Sequence, residues 1–355
     1  MLDLYTDYIM ACPKYATATG LSDALDNSIS HDKVTQFLSS EDFGSKQLWA
    51  LVKPEVRKIE THEGVIAIDD SISEKPYSDE NKIICWHYDH TEGRNVKGIN
   101  ILSALYYSQG ISIPVGYKII EKTIEYKDAK TGKMNRKSEK TKNELFIELI
   151  KTSIKNKLKF KYILADKWFC SSENMDFIKS QNKEFILGIK SNRLTALSKQ
   201  DKQEGKFLHL EDIGLEENTA KKVYLKGTKF PVLVTKQVFI NKDGSEGVLY
   251  LVSGDLKLDA FQINNTYQKR WKVEEYHKSI KSNAALEKSP AKTVRTQSNH
   301  IFASLFAFFK FEILKTNTCL NHFALKAKIQ LKATQAALGE LQELKLSTKG
   351  GLCVR

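Results

Sequence analysis

Apolar positions along this chain follow two periods. Up to about residue 58, and again from residue 260 to about 346, they recur at helical spacing; between these stretches, short unbroken apolar runs bounded by Gly, Asp and Asn predict strands. VIAI at 65–68 reads as a buried strand whose end carries Asp69, Asp70 and Ser71. Residues 96–107 and 111–121 predict two further strands around a turn at Gln109-Gly110. NELFIELIKTSIKNKL then places Leu145, Phe146, Leu149, Ile150 and Ile154 on one helical face. YILA at 162–165 repeats the first pattern, an apolar run ending in an acid, Asp166. A helix over SSENMDFIKSQ and a strand over EFILGI, residues 184–189, come next.

These elements predict an α/β (α+β) fold in five parts. Residues 1–58 form a helical region, 59–190 and 260–315 the two parts of the core, 191–259 a β-rich insertion, and 316–355 a helical C-terminal region. Within the first part, a short helix around Leu21–Leu25, the turn Asp26-Asn27-Ser28 and a second helix capped by Ser30 fit a helix-turn-helix that binds DNA. An ordinary helical hairpin fits equally, because no basic cluster marks the second helix. The apolar segment IFASLFAFFKFEIL at 301–314 contains Lys310 and Glu312 and is too short to span a bilayer; it predicts a buried helix.

Charge narrows the partner. Lys and Arg number 55 against 43 Asp and Glu, a formal +12, which favours a polyanion such as nucleic acid. Cys12, Cys85, Cys170, Cys319 and Cys353 are widely spread and form no C-x-x-C pair. With no secretory signal at the start, this fits a reduced, cytoplasmic compartment. WHYDH at 86–90 offers His87, Asp89 and His90 as metal ligands but has no second ligand group at zinc-like spacing. The lysine-rich loop 127–142 could touch DNA backbone, or be a solvated hairpin tip.

Two strands ending in aspartate, a later helix with a glutamate and a basic surround are parts for metal-assisted phosphoryl transfer. Hard oxygen ligands suit Mg²⁺ or Mn²⁺, and two such ions about 3.5–4 Å apart can serve the attacking and leaving oxygens. Asp166 taken singly is equally a cap for the helix after it. The glutamate lies in TYQKRWKVEEYHKSIK, residues 266–281. On one continuous helix with Tyr267 at zero, Arg270 falls at roughly 300°, Glu274 at roughly 340° and Lys281 at roughly 320°. Val273, Tyr276 and Ile280 gather on the far side as a core stripe, and Glu275 belongs to neither group. A salt-bridged surface with Arg270 and Glu274 as an i,i+4 pair explains the same face without chemistry.

The spacing Y-x-x-R-x-x-x-E-x-x-x-x-x-x-K, met by Tyr267, Arg270, Glu274 and Lys281, resembles the signature of bacterial insertion-sequence transposases of the DDE type. The resemblance extends to IAIDDS around Asp70 and YILADKWFCSSENM around Asp166, and covers roughly residues 60–315. It implies an RNase H-like mixed-sheet core and makes Asp70, Asp166 and Glu274 the catalytic, metal-binding triad, with two Mg²⁺ or Mn²⁺ ions. Asp70 is favoured over Asp69 because Ser71 follows it, and strand alternation lets only one of the two point easily into a site. Tyr267, Arg270 and Lys281 would hold DNA phosphates.

The implied activity is cut-and-paste transposition: cleavage at terminal inverted repeats and strand transfer to target DNA, by a homodimer on double-stranded DNA associated with the nucleoid. Some relatives hold a flipped base with a tryptophan of the insertion, but residues 191–259 contain none. Phe207, Tyr224, Phe230, Phe239 or Tyr250 could stack instead. Trp168 and Trp271, beside the acids, are expected to be packing residues. Another RNase H-like nuclease, or a catalytically inactive DNA-binding protein, would use many of the same parts.

Overall fold

A computed structural model describes residues 1–347 apart from 90, 91, 128, 130, 131 and 242. The chain divides into two compact units, residues 43–277, and residues 1–42 with the chain from Lys278 onward.

The first unit opens with helix α4 (Ser45–Ile59) and is built on a mixed sheet. Its strands in chain order are β1 (Val65–Glu74), β2 (Cys85–Asp89), β3 (Arg94–Ser108) and β4 (Ile111–Ile119). A separate hairpin follows, of β5 (Ile124–Lys127) and β6 (Met134–Lys137). Back in the sheet are β7 (Tyr162–Ala165), β8 (Glu184–Ile189), β9 (Leu194–Ala196), β10 (Leu208–His209), β11 (Ala220–Leu225), β12 (Val232–Ile240) and β13 (Glu246–Ser253). Neighbours across the sheet run β10-β9-β11-β12-β13-β8-β7-β1-β3-β2, and β3 also pairs β4 along its second half. Only β1, β7 and β8 lie parallel in this path; the other pairs are antiparallel.

The parallel centre is covered on both faces, as parallel sheets require. Val65, Ile66, Ala67 and Ile68 are wholly buried, and every residue of β7 is buried. Helix α5 (Lys142–Lys155), started by a Thr141–Glu144 capping box, packs on β3 and β4. Its Phe146 stacks on Phe169 at 4.8 Å between ring centres. Helix α6 (Ser172–Ser180) packs on β8, α7 (Lys199–Gln203) on β9, and α8 (Ala260–Gln268) on β8 and β13.

Two expectations need correction here, and one of the two readings of the lysine-rich loop is met in part. The first strand does not stop at its acids: β1 runs on to Glu74 because the 15-residue β3 keeps pairing with it, Asp69 opposite Ser103 and Asp70 opposite Leu102. Its other neighbour, β7, pairs only as far as Ala67, so the two acids lie where β1 outruns β7. The lysine-rich loop is in part a hairpin, β5 pairing β6, although residues 128, 130 and 131 lie outside the described ones. The single helix expected over 266–281 is two helices, α8 and α9 (Trp271–Ser282).

The second unit is helical: α1 (Leu2–Ala11), α2 (Ala18–Asp23), α3 (His31–Ser40), α10 (Val294–Thr318) and α11 (His322–Ser347). Asp26 and Asn27, both at positive φ (52° and 59°), make the tight turn before α3, and Ser30 caps α3 by accepting the N–H of Lys33. The segment 301–314 is the buried centre of α10, which packs against α1, α3 and α11. Its charges are paired. Lys310 reaches Asp3 and Asp7, and Glu312 receives Lys315 at 2.8 Å and lies 3.1 Å from His322. Among the described residues no helix is long and apolar enough to cross a membrane.

Candidate active site

The break between α8 and α9 shapes the site. At Lys269 and Arg270 the backbone tightens into i→i+3 hydrogen bonds, Arg270 N–H to Tyr267 C=O at 2.8 Å and Val273 N–H to Arg270 C=O at 2.9 Å. In such a turn, residues three apart eclipse one another. Tyr267 and Arg270 therefore stack, with the guanidinium 5.4 Å from the ring centre, a contact worth about 0.5–2 kcal/mol depending on desolvation. Beyond the break, Val273, Tyr276 and Ile280 are buried along one side of α9, and the Tyr276 hydroxyl meets Ser103 of β3 at 3.2 Å.

Arg270 is the hub of the acids. It donates to Glu274 at 2.6 Å and lies 3.6 Å from Asp69, with only 12% of its side chain exposed. Both acids and the Tyr267 phenol hold its guanidinium more firmly protonated, against its burial. Asp69 is pushed up to about 7, first by burial and then by repulsion from Asp166 and Asp70, with Arg270 opposing. Asp166 is also raised, first by burial; the Trp168 N–H and Arg270 hold it down, and Asp70 repels it. One guanidinium thus faces three carboxylates, and Asp69 relieves the surplus negative charge by keeping its proton up to about pH 7.

Asp70 has other company. Its carboxylate pairs with Lys142 of α5 at 2.7 Å and accepts from Asn100 of β3 at 2.8 Å. Asp166 ends β7 and also caps a 3₁₀ turn, Lys167–Phe169, accepting the Trp168 N–H at 2.9 Å. Its capping and its place among the acids coexist. Glu275 pairs with Lys272 at 2.9 Å on the solvent side. Lys281, in the last turn of α9, lies 3.3 Å from Glu287.

Tyr267 is buried, which pushes its phenol up to about 12. The room for it comes from β8. A Cβ on Gly188 would stand 3.0 Å from the Lys167 amide nitrogen and 3.2 Å from the Tyr267 hydroxyl. Glycine lets the phenol and the chain after Asp166 share that space. The isolated glycine in EFILGI was the available signal; Asn100 and Lys142 carried none.

Trp168 and Trp271 are not packing residues: 49% and 58% of each is exposed. The Trp86–His90 cluster is only partly described, since His90 lies outside the described residues. His87 is buried within the sheet, and burial, helped by Lys122 and Lys142, pushes it down to about 4.

The family described as DDE superfamily endonuclease matches residues 1–206, and that described as transposase DDE domain matches residues 132–309. The chain belongs to the DDE transposases. It is an enzyme of nuclease and transposase type, and the mixed sheet with helical regions at both termini is consistent with an RNase H-like core. A comparison with curated proteins finds no match.

The divalent cation that this family implies has a fitting donor set in the transposase. Asp69 and Asp166 are hard oxygen donors, half-buried, and each is raised by neighbouring acids against the pull of Arg270. As the side chains stand, no group of three acids, imidazoles or thiolates among the described residues could hold a metal. Glu274 is drawn onto Arg270 instead.

Proposed function

We propose that this transposase moves an insertion sequence by cut-and-paste, cleaving DNA strands at the element's terminal inverted repeats and joining the freed ends to target DNA. The observation that carries the reading is the placing of Asp69 and Asp166 just beyond the paired stretch of the neighbouring parallel strands β1 and β7, with Arg270 3.6 Å from Asp69. Half-buried acids gathered in this way are suited to taking up positive charge when substrate arrives.

Asp69, Asp166 and Glu274 would hold the metal, Glu274 exchanging Arg270 for it. Asp70, favoured from its neighbour Ser71, is tied to Lys142 and Asn100. We therefore assign it to positioning β1 and α5. Two bound Mg²⁺ or Mn²⁺ ions would supply a water nucleophile of lowered pKa and charge to stabilise the leaving oxygen. Once released by Glu274, the Arg270 guanidinium can take a DNA phosphate in its fork, and Tyr267 fixes the plane of that fork from below. Lys281, with its flexible ammonium, would contact the backbone further along the strand.

Holding two element ends together asks for a homodimer on DNA. Helix α11 leaves Leu331, Leu338 and Leu341 exposed at coiled-coil spacing, and residues 315–346 are the region we assign to that contact. The helices within residues 1–58 are the region we assign to end recognition.

The test is incubation of purified protein with a fragment carrying the flanking element ends and Mg²⁺, scored for nicks, hairpins and joined products. Site-specific nicks followed by joined products support the reading. Tight binding that leaves the DNA intact would leave a DNA-binding protein, and cleavage indifferent to the end sequence would leave a general nuclease.

A further inference from the structure

The segment between β4 and α5 concentrates the charge of the chain. Residues 122–142 hold eight lysines and arginines against three acids, a net +5 of the chain's +12. Three of these cations are paired, Arg136 with Glu125, Lys140 with Glu148 and Lys142 with Asp70, whereas among the described residues Lys127 and Lys137 have no acidic partner. The segment's hairpin, β5 with β6, belongs to no larger sheet, and seven of its eight residues are exposed. A lone two-stranded hairpin is only marginally stable in water, so its open faces are a surface for a partner.

Register gives the two faces different chemistry, because opposed residues share a face and successive ones alternate. Glu125 and Arg136 share one face with Lys127 and Met134, and their ion pair closes part of it. The other face carries Ile124, Tyr126, Asn135 and Lys137. There Lys137 lies 5.7 Å from the centre of the Tyr126 ring, and the Asn135 side chain has no hydrogen bond among the described residues. Phosphates alone would ask only for cations; an amide, an ammonium and an apolar side chain on one face match the acceptors, donors and methyl groups of base edges. A ribbon of two strands about 4.8 Å apart enters the major groove, about 12 Å wide, whereas the minor groove, about 6 Å wide, would have to open. The arm is also tethered beside the acids. From Lys142, on Asp70, five residues lead back to Lys137, at most about 17 Å, and β6 adds about 13 Å, together less than the roughly 34 Å of one DNA turn.

We propose that the hairpin of β5 and β6 enters the major groove of the element's own end, within one turn of the phosphate cut at the acids, with Asn135 and Lys137 on base edges and Lys127 on a flanking phosphate. The proposal rests on the strand-cleavage reading, because the tether to Asp70 is what places the arm on the duplex being cut and not on target DNA. The unit that cuts would thereby itself read the bases beside the cut.

Metal-free binding to a duplex carrying the element end tests this. In a second duplex the purines of the terminal turn are 7-deazapurines, which lack the N7 acceptor of the major groove and leave the minor groove intact. Wild type should bind this second duplex roughly tenfold more weakly. The double variant Asn135→Ala, Lys137→Ala should bind the natural end about as weakly, and lose no more than about twofold further on substitution. Lys127→Gln should lower the salt slope by about 0.9, the share of one phosphate contact. No loss in wild type, or equal losses in wild type and the double variant, overturns the proposal. A double variant that binds the element end normally but an unrelated duplex more weakly assigns the hairpin to target DNA and overturns it as well. Thermal melting confirms that the variants are folded; should the double variant fail it, Asn135→Ala alone carries the test. Nicking of element ends by wild type without an N7 effect sinks the arm alone. An N7 effect that depends on Asn135 and Lys137, with no nicking, sinks the cleavage reading and leaves the arm standing.

Discussion

Two neighbouring aspartates behave differently because of what reaches them from elsewhere in the chain. Both interact with Asp166, but Asp69 meets Arg270, whereas Asp70 meets Lys142 and Asn100. A carboxyl whose folded value is raised to about 7 stabilises the fold below its unfolded value and loses that contribution as pH rises through about 7. The metal-free protein should therefore lose stability between pH 5 and pH 8 through this group. Asp69→Asn should melt a few degrees higher than wild type at pH 8, with the gain shrinking toward pH 5. Differential scanning calorimetry of both proteins at the two pH values checks it; an equal or lower melting point for Asp69→Asn at pH 8 would refute the charge imbalance. The two glutamates divide in the same way. Glu274→Gln should abolish cleavage, while Glu275→Gln, which removes only a surface pair with Lys272, should leave the rate within about twofold.

At the scale of elements, the short apolar runs VIAI and YILA were legible as buried strands because both-face burial leaves no polar alternation to hide them. The β-rich character of 191–259 and the Ser30 cap were legible for similarly local reasons. What could not be read was set by distant partners. The length of β1 past its acids depends on β3, and the proposed choice of Asp69 over Asp70 depends on Arg270 arriving from the break between α8 and α9. That break carries neither Pro nor Gly to announce it. It brings Tyr267 and Arg270 directly over one another by a 3₁₀ turn, where a continuous helix would have set them about 60° apart on one face. Gly188 belongs to this scale. In Gly188→Ala, a methyl 3.0 Å from the Lys167 amide must push back the chain after Asp166 or the Tyr267 phenol, at a cost of about 1–3 kcal/mol. We expect denaturant unfolding to register that loss and cleavage to fall at least tenfold; an unchanged rate would mean that β8 does not position the acids.

For the whole molecule, a surplus of 12 positive charges predicts DNA binding that weakens steeply with salt. Filter binding between about 50 and 200 mM salt should lose at least a hundredfold in affinity. The central claim is that Asp69, with Asp166 and Glu274, makes the metal-dependent cleavage centre, while Asp70 supports it. The most direct measurement is the rate of Mg²⁺-dependent nicking of an element-end fragment by wild type, Asp69→Asn and Asp70→Asn, at equal DNA occupancy. Asp69→Asn should fall by at least about a thousandfold, and Asp70→Asn by no more than about tenfold. Full activity in Asp69→Asn, with loss in Asp70→Asn, would contradict the account.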